Sequence, residues 1–557
     1  MLRPEMTPEV VIVGAGPAGL SLAIELGMRG VRCLIVERDD RRGWAPRAKT
    51  THSRTREHMR RWGIADKLAE ASPFGVDYPC HILFVTRMGG YLLKKFEHAL
   101  DCRPDRNEDY SEHGQWIPQY KLEEVLLTHA RSLDTVSIRN GCEFLGLDQD
   151  SDAVQIHLKD TTTGAVETMS ASYLVGADGA RSSVRDAIGA RMVGTYGLSR
   201  NYNVIFRSRG LAQAHPHGPG IMYWQINAEV PSLIGPMDQD DLWFFMPTNV
   251  GTDVTLSAAD AEQLIRLSTG LDVDYEVLSS DEWVASRFLA DRYRNGRAFL
   301  IGDACHLHPP FGGFGMNLGV SDAVDLGWKL AATLGGWAGP ALLDSYATER
   351  RQAHEIVLDA AESNHGTLAN DLIRPNIEAA SSEGARTRAD LCGLIERAKR
   401  AEFYARGVVL GYCYRGSDIV IDDGSQEEWV PTVDYAPRAI PGCIAPHHWL
   451  SDGSSLYDHF GDGFTLLVTR GGHESGRRAA AQDALRLGIP LKILDMQTEA
   501  LSARYGTDMT LIRPDQHIAW RGNTWPGSGI LAQSVGSGTS DARVQASGTA
   551  EPQFAPE

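Results

Sequence analysis

A chain of 557 residues is too long for one ordinary core, and a prior of about 150 residues per domain divides it into three or four units. Its 54 Lys and Arg against 72 Asp and Glu leave a net charge of −18 with no basic block, which argues against nucleic acid or an anionic membrane as a partner. Eight scattered cysteines without a C-x-x-C pair suit a reducing cytoplasm better than a disulfide framework or a zinc site, and no run approaches the ~20 apolar residues of a membrane span.

Val10 to Val13 reads as a buried strand. It runs into Gly14-Ala15-Gly16-Pro17-Ala18-Gly19, then a helix with Leu20, Leu22, Ala23 and Leu26 on its apolar positions. A second strand, Val31 to Val36, ends on Glu37-Arg38. Strand, glycine turn, helix, strand and acid make the dinucleotide fingerprint in its required context. Gly14 makes the tight turn, Gly16 lets backbone approach a pyrophosphate, and Gly19 lets helix and strand pack closely. Glu37, 18 residues beyond Gly19, is placed to accept from ribose hydroxyls. The motif by itself does not separate FAD from NAD.

Pro46-Arg47-Ala48 then precedes a helical run from about Ser53 to Glu70. Here the chain resembles a family, the single-component (class A) FAD-dependent aromatic hydroxylases, through Gly14 to Gly19, Glu37, Pro46-Arg47-Ala48 and Arg54-Thr55. The resemblance implies that Arg47 lies beside a flavin and that Gln119, before the next helix, contacts it. Read alone, Arg47 is a surface arginine at a turn and Gln119 a helix-start residue with a solvated amide. Tyr173 to Val175 is a further strand, followed by Gly176-Ala-Asp178-Gly179 and by Arg181, Ser182, Ser183 and Arg185 at a helix start. This matches the family's DG motif, associated with the FAD pyrophosphate region and with transient binding of NADPH or NADH.

Two tracts, 81–112 and 190–283, are strand-rich. In the resembled family such a sheet roofs the flavin and lines the substrate pocket, which makes Tyr223, Trp224, Trp243 and Phe245 candidate walls. Ala298 to Ile301 reads as another buried strand, ending at Gly302-Asp303. Pro309, Pro310, Gly312, Gly313, Gly315 and Gly319 follow before an amphipathic run to Leu334. Glycines there let backbone N–H groups close on a bulky anionic ligand, and a helix start favours negative charge. The segment matches the family's GD motif. Asp303 is expected near the ribityl chain and pyrophosphate, and Pro310, Gly313, Gly315, Met316 and Asn317 near the flavin ring. Cys305, His306 and His308 read as packing and loop-ordering residues, with no metal site expected. Asp322, Asp325 and Lys329 read as structural, and the charged face Glu349, Arg350, Arg351 as solvated.

The fold expected is α/β: a Rossmann-like FAD-binding domain (1–80, 113–189 and 284–345) interleaved with a β-sheet substrate domain (81–112 and 190–283). A helical region (346–430) follows. Residues 431–524 resemble the thioredoxin-like C-terminal domain of phenol, hydroxyphenylpropionate and polyketide hydroxylases, without its redox C-x-x-C, and 525–557 is expected to be a disordered tail. The resemblance implies a monooxygenase that hydroxylates a small phenolic or related aromatic compound with NAD(P)H and O2 through a flavin C4a-hydroperoxide. His52, Tyr223 and His308 are the candidate substrate-activating bases. A homodimer is left open. So are Baeyer–Villiger or epoxidising chemistry on a polyketide-like substrate, and a flavin- or NAD-binding protein without oxygenase activity.

Overall fold

The computed structural model describes residues 7–39, 48–248, 250 and 255–538. Its first half is organised by a six-stranded sheet in the order Arg294–Asn295, Ala298–Leu300, Tyr173–Gly176, Val10–Val13, Cys33–Glu37, Val136–Asn140. Val10–Val13 runs parallel to both neighbours, and Tyr173–Gly176 is parallel to Ala298–Leu300. Every residue of these four inner strands is buried, which is why they read as continuous apolar runs. Parallel strands share an end. Gly14, Glu37, Asp178 and Gly302, though far apart in sequence, therefore follow their strands along one edge of the sheet.

Helices Pro17–Met28 and Phe314–Leu334 cross directly above that edge. A Cβ at Gly302 would lie 3.1 Å from the Ala18 methyl, and one at Gly319 would lie 3.2 Å from it. Only small residues let the two helix starts come this close.

The second sheet has eight strands: His306–Leu307, Glu276–Ala290, Met192–Arg207, Leu242–Pro247, Ser232–Pro236, Met222–Gln225, Ile82–Val85 and Leu92–Phe96. Residues alternate between two apolar faces, as the pleat requires. One face carries Phe84, Ile205, Trp224, Leu233 and Phe244 and meets Phe311 and Phe403. The other carries Leu83, Phe206, Tyr223, Trp243 and Phe245 and packs on Ala261 and Ile265 of helix Ala258–Thr269. The expected division at 283/284 cuts through one continuous strand, Glu276–Ala290.

In the C-terminal unit the strand order is Leu491–Asp495, Phe464–Val468, Met509–Ile512, Ile518–Gly522. The first pair is parallel and the remaining two are antiparallel. The expected disorder from 525 is corrected by a helix, Gly529–Ser534. Leu531 and Val535, four apart on one helix face, are buried with Trp328 and Leu342. A Ser/Gly-rich composition masked that short apolar pair. Residues 539–557 lie outside the described residues.

The expected solvated face of helix Ser345–His365 is also corrected: Glu349 and Arg350 are both 0% exposed. Arg513 donates to Glu349 at 2.6 and 2.9 Å, to Asp325 at 3.2 Å and to Asp515 at 2.5 Å. Lys329 donates to Asp325 at 2.8 Å and Glu349 at 2.6 Å. Burial pushes the Asp325 carboxyl up to about 8, which relieves the surplus of negative charge. This cluster joins the C-terminal unit to helices Phe314–Leu334 and Ser345–His365. Arg513→Met should therefore cost about 3–5 kcal/mol in urea unfolding, because it strands buried carboxylates rather than deleting a whole pair.

Candidate active site

At the first strand end, Gly14 has φ +107°, and a Cβ there would lie 2.4 Å from the Ala177 carbonyl oxygen. No other residue fits that turn without moving the neighbouring strand. Glu37 accepts the Ala15 N–H at 2.9 Å and the Asp39 N–H at 3.2 Å, so its carboxylate closes the turn from the adjacent strand. Helix Pro17–Met28 begins at Gly16 with no side-chain cap, leaving its first N–H groups for an anion. Arg38 turns away and pairs with Asp39 at 3.1 Å on the surface.

The second expected acid, Asp178, accepts from Ser182 Oγ at 2.5 Å and from the Val184 N–H at 3.2 Å. Burial pushes its carboxyl up against these hydrogen bonds. It organises the start of helix Ser183–Ala187. Arg185 donates to the carbonyls of Ala304 at 3.3 Å and Ala180 at 3.1 Å, tying the DG and GD segments together.

Gly302, at φ +61°, donates its N–H to Asp322 at 3.0 Å. The same carboxylate accepts from Arg350 Nε at 2.7 Å and contacts His354 Nε2 at 2.8 Å and His306 Nε2 at 3.1 Å. His354, Arg350 and these hydrogen bonds hold the Asp322 carboxyl well below its usual range despite full burial. Asp322 is thus the post under the GD turn, a role that helical spacing alone did not reveal. On top of the turn, Asp303 is exposed between buried Gly302 and Ala304.

Donor atoms of Cys305, His306 and His354 lie within 4.8 Å of one another. Cys305 and His354 are engaged with protein partners, while the buried His306 Nδ1 has none among the described residues. Cys305 Sγ donates to the Gly302 carbonyl at 3.3 Å, and burial pushes that thiol well up. Both histidines spend Nε2 on Asp322.

Helix Phe314–Leu334 starts at Gly313, again without a side-chain cap. Gly313 has φ +70°, and a Cβ there would lie 3.1 Å from Thr50 Cβ. Asn317 donates to the carbonyls of Thr50 at 3.0 Å and Gly313 at 2.7 Å. Its Oδ1 accepts from the His52 N–H at 2.8 Å and Thr55 Oγ at 2.7 Å. Four protein hydrogen bonds saturate the Asn317 side chain, so it is the Asn317 backbone that is left to face a ligand beside this loop. Gln119 is similarly engaged, accepting the Ala48 N–H at 3.0 Å and donating to Glu123 at 2.8 Å. It anchors the segment that follows Arg47, itself outside the described residues. Pro310 is exposed, and Met316 is half-buried against the first core.

His52 Nε2–H donates to the Gly312 carbonyl at 2.9 Å. His308 Nδ1–H donates to the Pro309 carbonyl at 2.8 Å, which leaves its buried Nε2 lone pair without a protein partner. Burial pushes both histidines down to about 4, so both are neutral at pH 7. A Cβ at Gly315 would lie 3.3 Å from that free His308 nitrogen. Tyr223 is corrected. Its hydroxyl donates to the Gly218 carbonyl at 2.6 Å on the sheet face packed against helix Ala258–Thr269, and burial pushes the phenol well up. Trp243 and Phe245 share that far face; Trp224 alone of the four expected walls lies on the near one. Phe244 and Phe311, which the sequence reading did not single out, are there with it. Tyr223→Phe should leave turnover within about twofold, measured by steady-state kinetics, since it removes a remote hydroxyl.

Residues 7–361 match the family model described as "FAD binding domain", and residues 438–536 match "Aromatic-ring hydroxylase, C-terminal". The chain belongs to the class A FAD-dependent aromatic hydroxylases. It is 33% identical to aklavinone 12-hydroxylase DnrF of Streptomyces peucetius, over 86% of this chain and 95% of that one. It is 30% identical to phenol 2-monooxygenase of Pseudomonas sp. (strain EST1001), over 92% and 89%. Among solved structures, RebC with bound 7-carboxy-K252c matches with a TM-score of 0.88 at 33% identity, covering 96% of this chain and 99% of that one. A ternary complex of aklavinone-11 hydroxylase with FAD and aklavinone matches at 0.82 and 28% identity, with 96% and 99% covered.

As a member of this family the protein is an FAD-dependent monooxygenase. Its geometry fits that cofactor. Two long helices present uncapped N-termini beside one another, separated only by Ala18, Gly302 and Gly319, and a side chain added at Gly302 or Gly319 would close the approach. Among the described residues, no helix is long and apolar enough to cross a membrane.

Proposed function

We propose that this monooxygenase hydroxylates a phenolic or related electron-rich aromatic compound, held between the near face of the eight-stranded sheet and the Pro310–Asn317 loop. The observation that carries the reading is the convergence of three motifs, each following a strand of one parallel sheet, beside an apolar face bearing Trp224, Phe244 and Phe311. The names of the relatives, phenol 2-monooxygenase and aklavinone 12-hydroxylase, support an aromatic substrate.

Bound FAD supplies the reductive activation of O2, with NADPH or NADH as reductant. The protein supplies binding, orientation and exclusion of water. The N-terminus of helix Pro17–Met28 and the Gly14–Gly19 turn would hold the pyrophosphate, and Glu37 a ribose. Asp303 would accept from the sugar-alcohol chain, and the backbone of Gly313 to Met316 would support the ring. The uncapped start of helix Phe314–Leu334 favours negative charge on that ring. His308 is the preferred base, because its ring is neutral and its buried Nε2 lone pair has no protein partner among the described residues. His52 retains Nδ1 for the same task. The C-terminal unit reads as thioredoxin-like, since its strands alternate with helices Glu474–Leu487 and Glu499–Tyr505 before an antiparallel pair. Without a C-x-x-C it serves packing.

The test is FAD reconstitution followed by a screen of phenolic compounds for stimulated NAD(P)H oxidation, with products identified under labelled O2. One label on an unchanged carbon skeleton is the expected result. Oxygen inserted into the ring would favour Baeyer–Villiger chemistry, and a colourless protein that cannot be reconstituted would sink the reading. Asp303→Ala should weaken FAD about 10- to 100-fold by flavin fluorescence titration, the range for a lost charged hydrogen bond.

A further inference from the structure

Lys49 is held at the junction of the two halves of this site. Its carbonyl accepts the Ile117 N–H at 2.8 Å, the preceding Ala48 N–H is held by Gln119, and the following Thr50 touches Gly313. The backbone is therefore fixed next to the flavin loop. The side chain extends over the near face of the eight-stranded sheet, and Nζ stands 4.2 Å from the Phe244 ring centroid. Gly235 beneath that ring leaves the floor clear; a Cβ there would lie 2.6 Å from it.

Lys399 also lies on this face, 4.3 Å from the Trp224 ring centroid, but it donates to Glu402 at 2.8 Å and to the Asn364 carbonyl at 3.0 Å. Lys49 has neither kind of partner among the described residues; its recorded contact is the Phe244 ring. Burial alone pulls its pKa down to about 8. A half-buried ammonium without a carboxylate is costly, and a phenylalanine face offsets only part of that cost. The same face carries a second donor without an acceptor, the buried Trp224 Nε1.

We propose that Lys49 is the anion-recognition residue of the substrate pocket, binding a carboxylate or phenolate oxygen of the aromatic substrate at the Phe244 end of the near face. This rests on the aromatic-hydroxylase reading and narrows it to substrates that carry an anionic oxygen. The ammonium supplies a charge-assisted hydrogen bond in a partly desolvated setting, while the apolar face holds the ring system.

The experiment titrates the FAD-loaded enzyme with 3-hydroxy-2-naphthoate and with its doubly methylated form, methyl 3-methoxy-2-naphthoate, following the flavin absorbance change. The wild type should bind the anion about 10- to 100-fold more tightly than the capped probe. Lys49→Met should abolish that preference while leaving capped-probe affinity and the bound-flavin spectrum unchanged, and Lys49→Arg should restore most of it. The singly methylated ester and ether then separate the two oxygens: loss on esterification assigns the carboxylate, loss on etherification the phenolate. A wild type with no preference for the anion, including one that binds neither probe, overturns the proposal. So does a Lys49→Met enzyme that weakens both probes alike, which would make Lys49 a packing residue. Failure to hold FAD or to oxygenate any aromatic compound counts instead against the hydroxylase reading.

Discussion

Asp322→Ala should cost the protein about 3–5 kcal/mol of stability and at least about tenfold in FAD affinity. The carboxylate is fully buried and faces the equally buried Arg350 at 2.7 Å. Arg350 also meets the Tyr414 hydroxyl at 3.0 Å, the Leu318 carbonyl at 3.5 Å and the Tyr412 ring at 5.7 Å, none of which carries a charge at pH 7. Removing the acid leaves a guanidinium buried without compensation. It also deprives Gly302 of the acceptor that holds the turn below Asp303. Asp322→Asn should fall between, since an amide oxygen can still accept from Gly302 but offers no charge to Arg350. Urea unfolding of apo- and holoprotein, with flavin fluorescence titration, separates the stability loss from the cofactor loss. A change below about 1 kcal/mol for the alanine variant would remove Asp322 from the site's support.

Acidification from pH 7 to pH 5 should lower stability steeply. His52, His354, His447 and His517 are each buried, with pKa values pushed down by burial to about 4, 3, 4 and 4. In the unfolded chain each takes up a proton near 6.5. Below that value the unfolded state binds more protons than the folded one. Their contribution is therefore complete above pH 6.5 and is lost as pH falls toward the folded values. Each histidine contributes a slope of up to about 1.4 kcal/mol per pH unit, or roughly 5 kcal/mol per unit for all four. Asp325, raised to about 8 by burial, works in the opposite sense and offsets about one histidine; against a typical total of about 5–15 kcal/mol the remainder still lowers stability strongly by pH 5. Urea midpoints measured from pH 8 to pH 5 test this, and His447→Gln should flatten the slope by up to about 1.4 kcal/mol per pH unit, a part of the whole because His58, His215 and His308 shift in the same direction. A midpoint independent of pH across that range would mean that these rings are protonated, or solvated, in the folded state.

Much of the cofactor region was legible because its determinants are local. A glycine forced to φ +107° at Gly14, an acid ending the next strand and a helix starting on glycine are each written within a few residues. Parallel pairing then does the assembly: once the motifs follow strands of one sheet, they must share an edge. The polar supports were not legible. Asp322 with Arg350 and His354, and Arg513 with Glu349, join residues 28 to 164 positions apart, and each looked like an ordinary charged helix or loop residue. Opposite charges can be buried only where the fold brings them within hydrogen-bonding distance, and no periodicity records that.

The substrate wall divides in the same way. Alternation along Met222–Gln225 and Leu242–Pro247 establishes that Tyr223 and Trp224, or Phe244 and Phe245, point to opposite faces. Which face is functional depends on what packs there. Helix Ala258–Thr269 covers the Tyr223 side, while Phe311 and Lys49 meet the Trp224 and Phe244 side. The sequence by itself determined the nucleotide-binding turn, because strand, glycine turn, helix and acid lie close along the chain, and its resemblance to a known family supplied the flavin-dependent class. Only the tertiary structure decided which aromatic face meets the Pro310–Asn317 loop, that the Asn317 and Tyr223 side chains are spent on protein partners, and that Lys49 stands without a carboxylate among the described residues, because each depends on neighbours that arrive from distant segments.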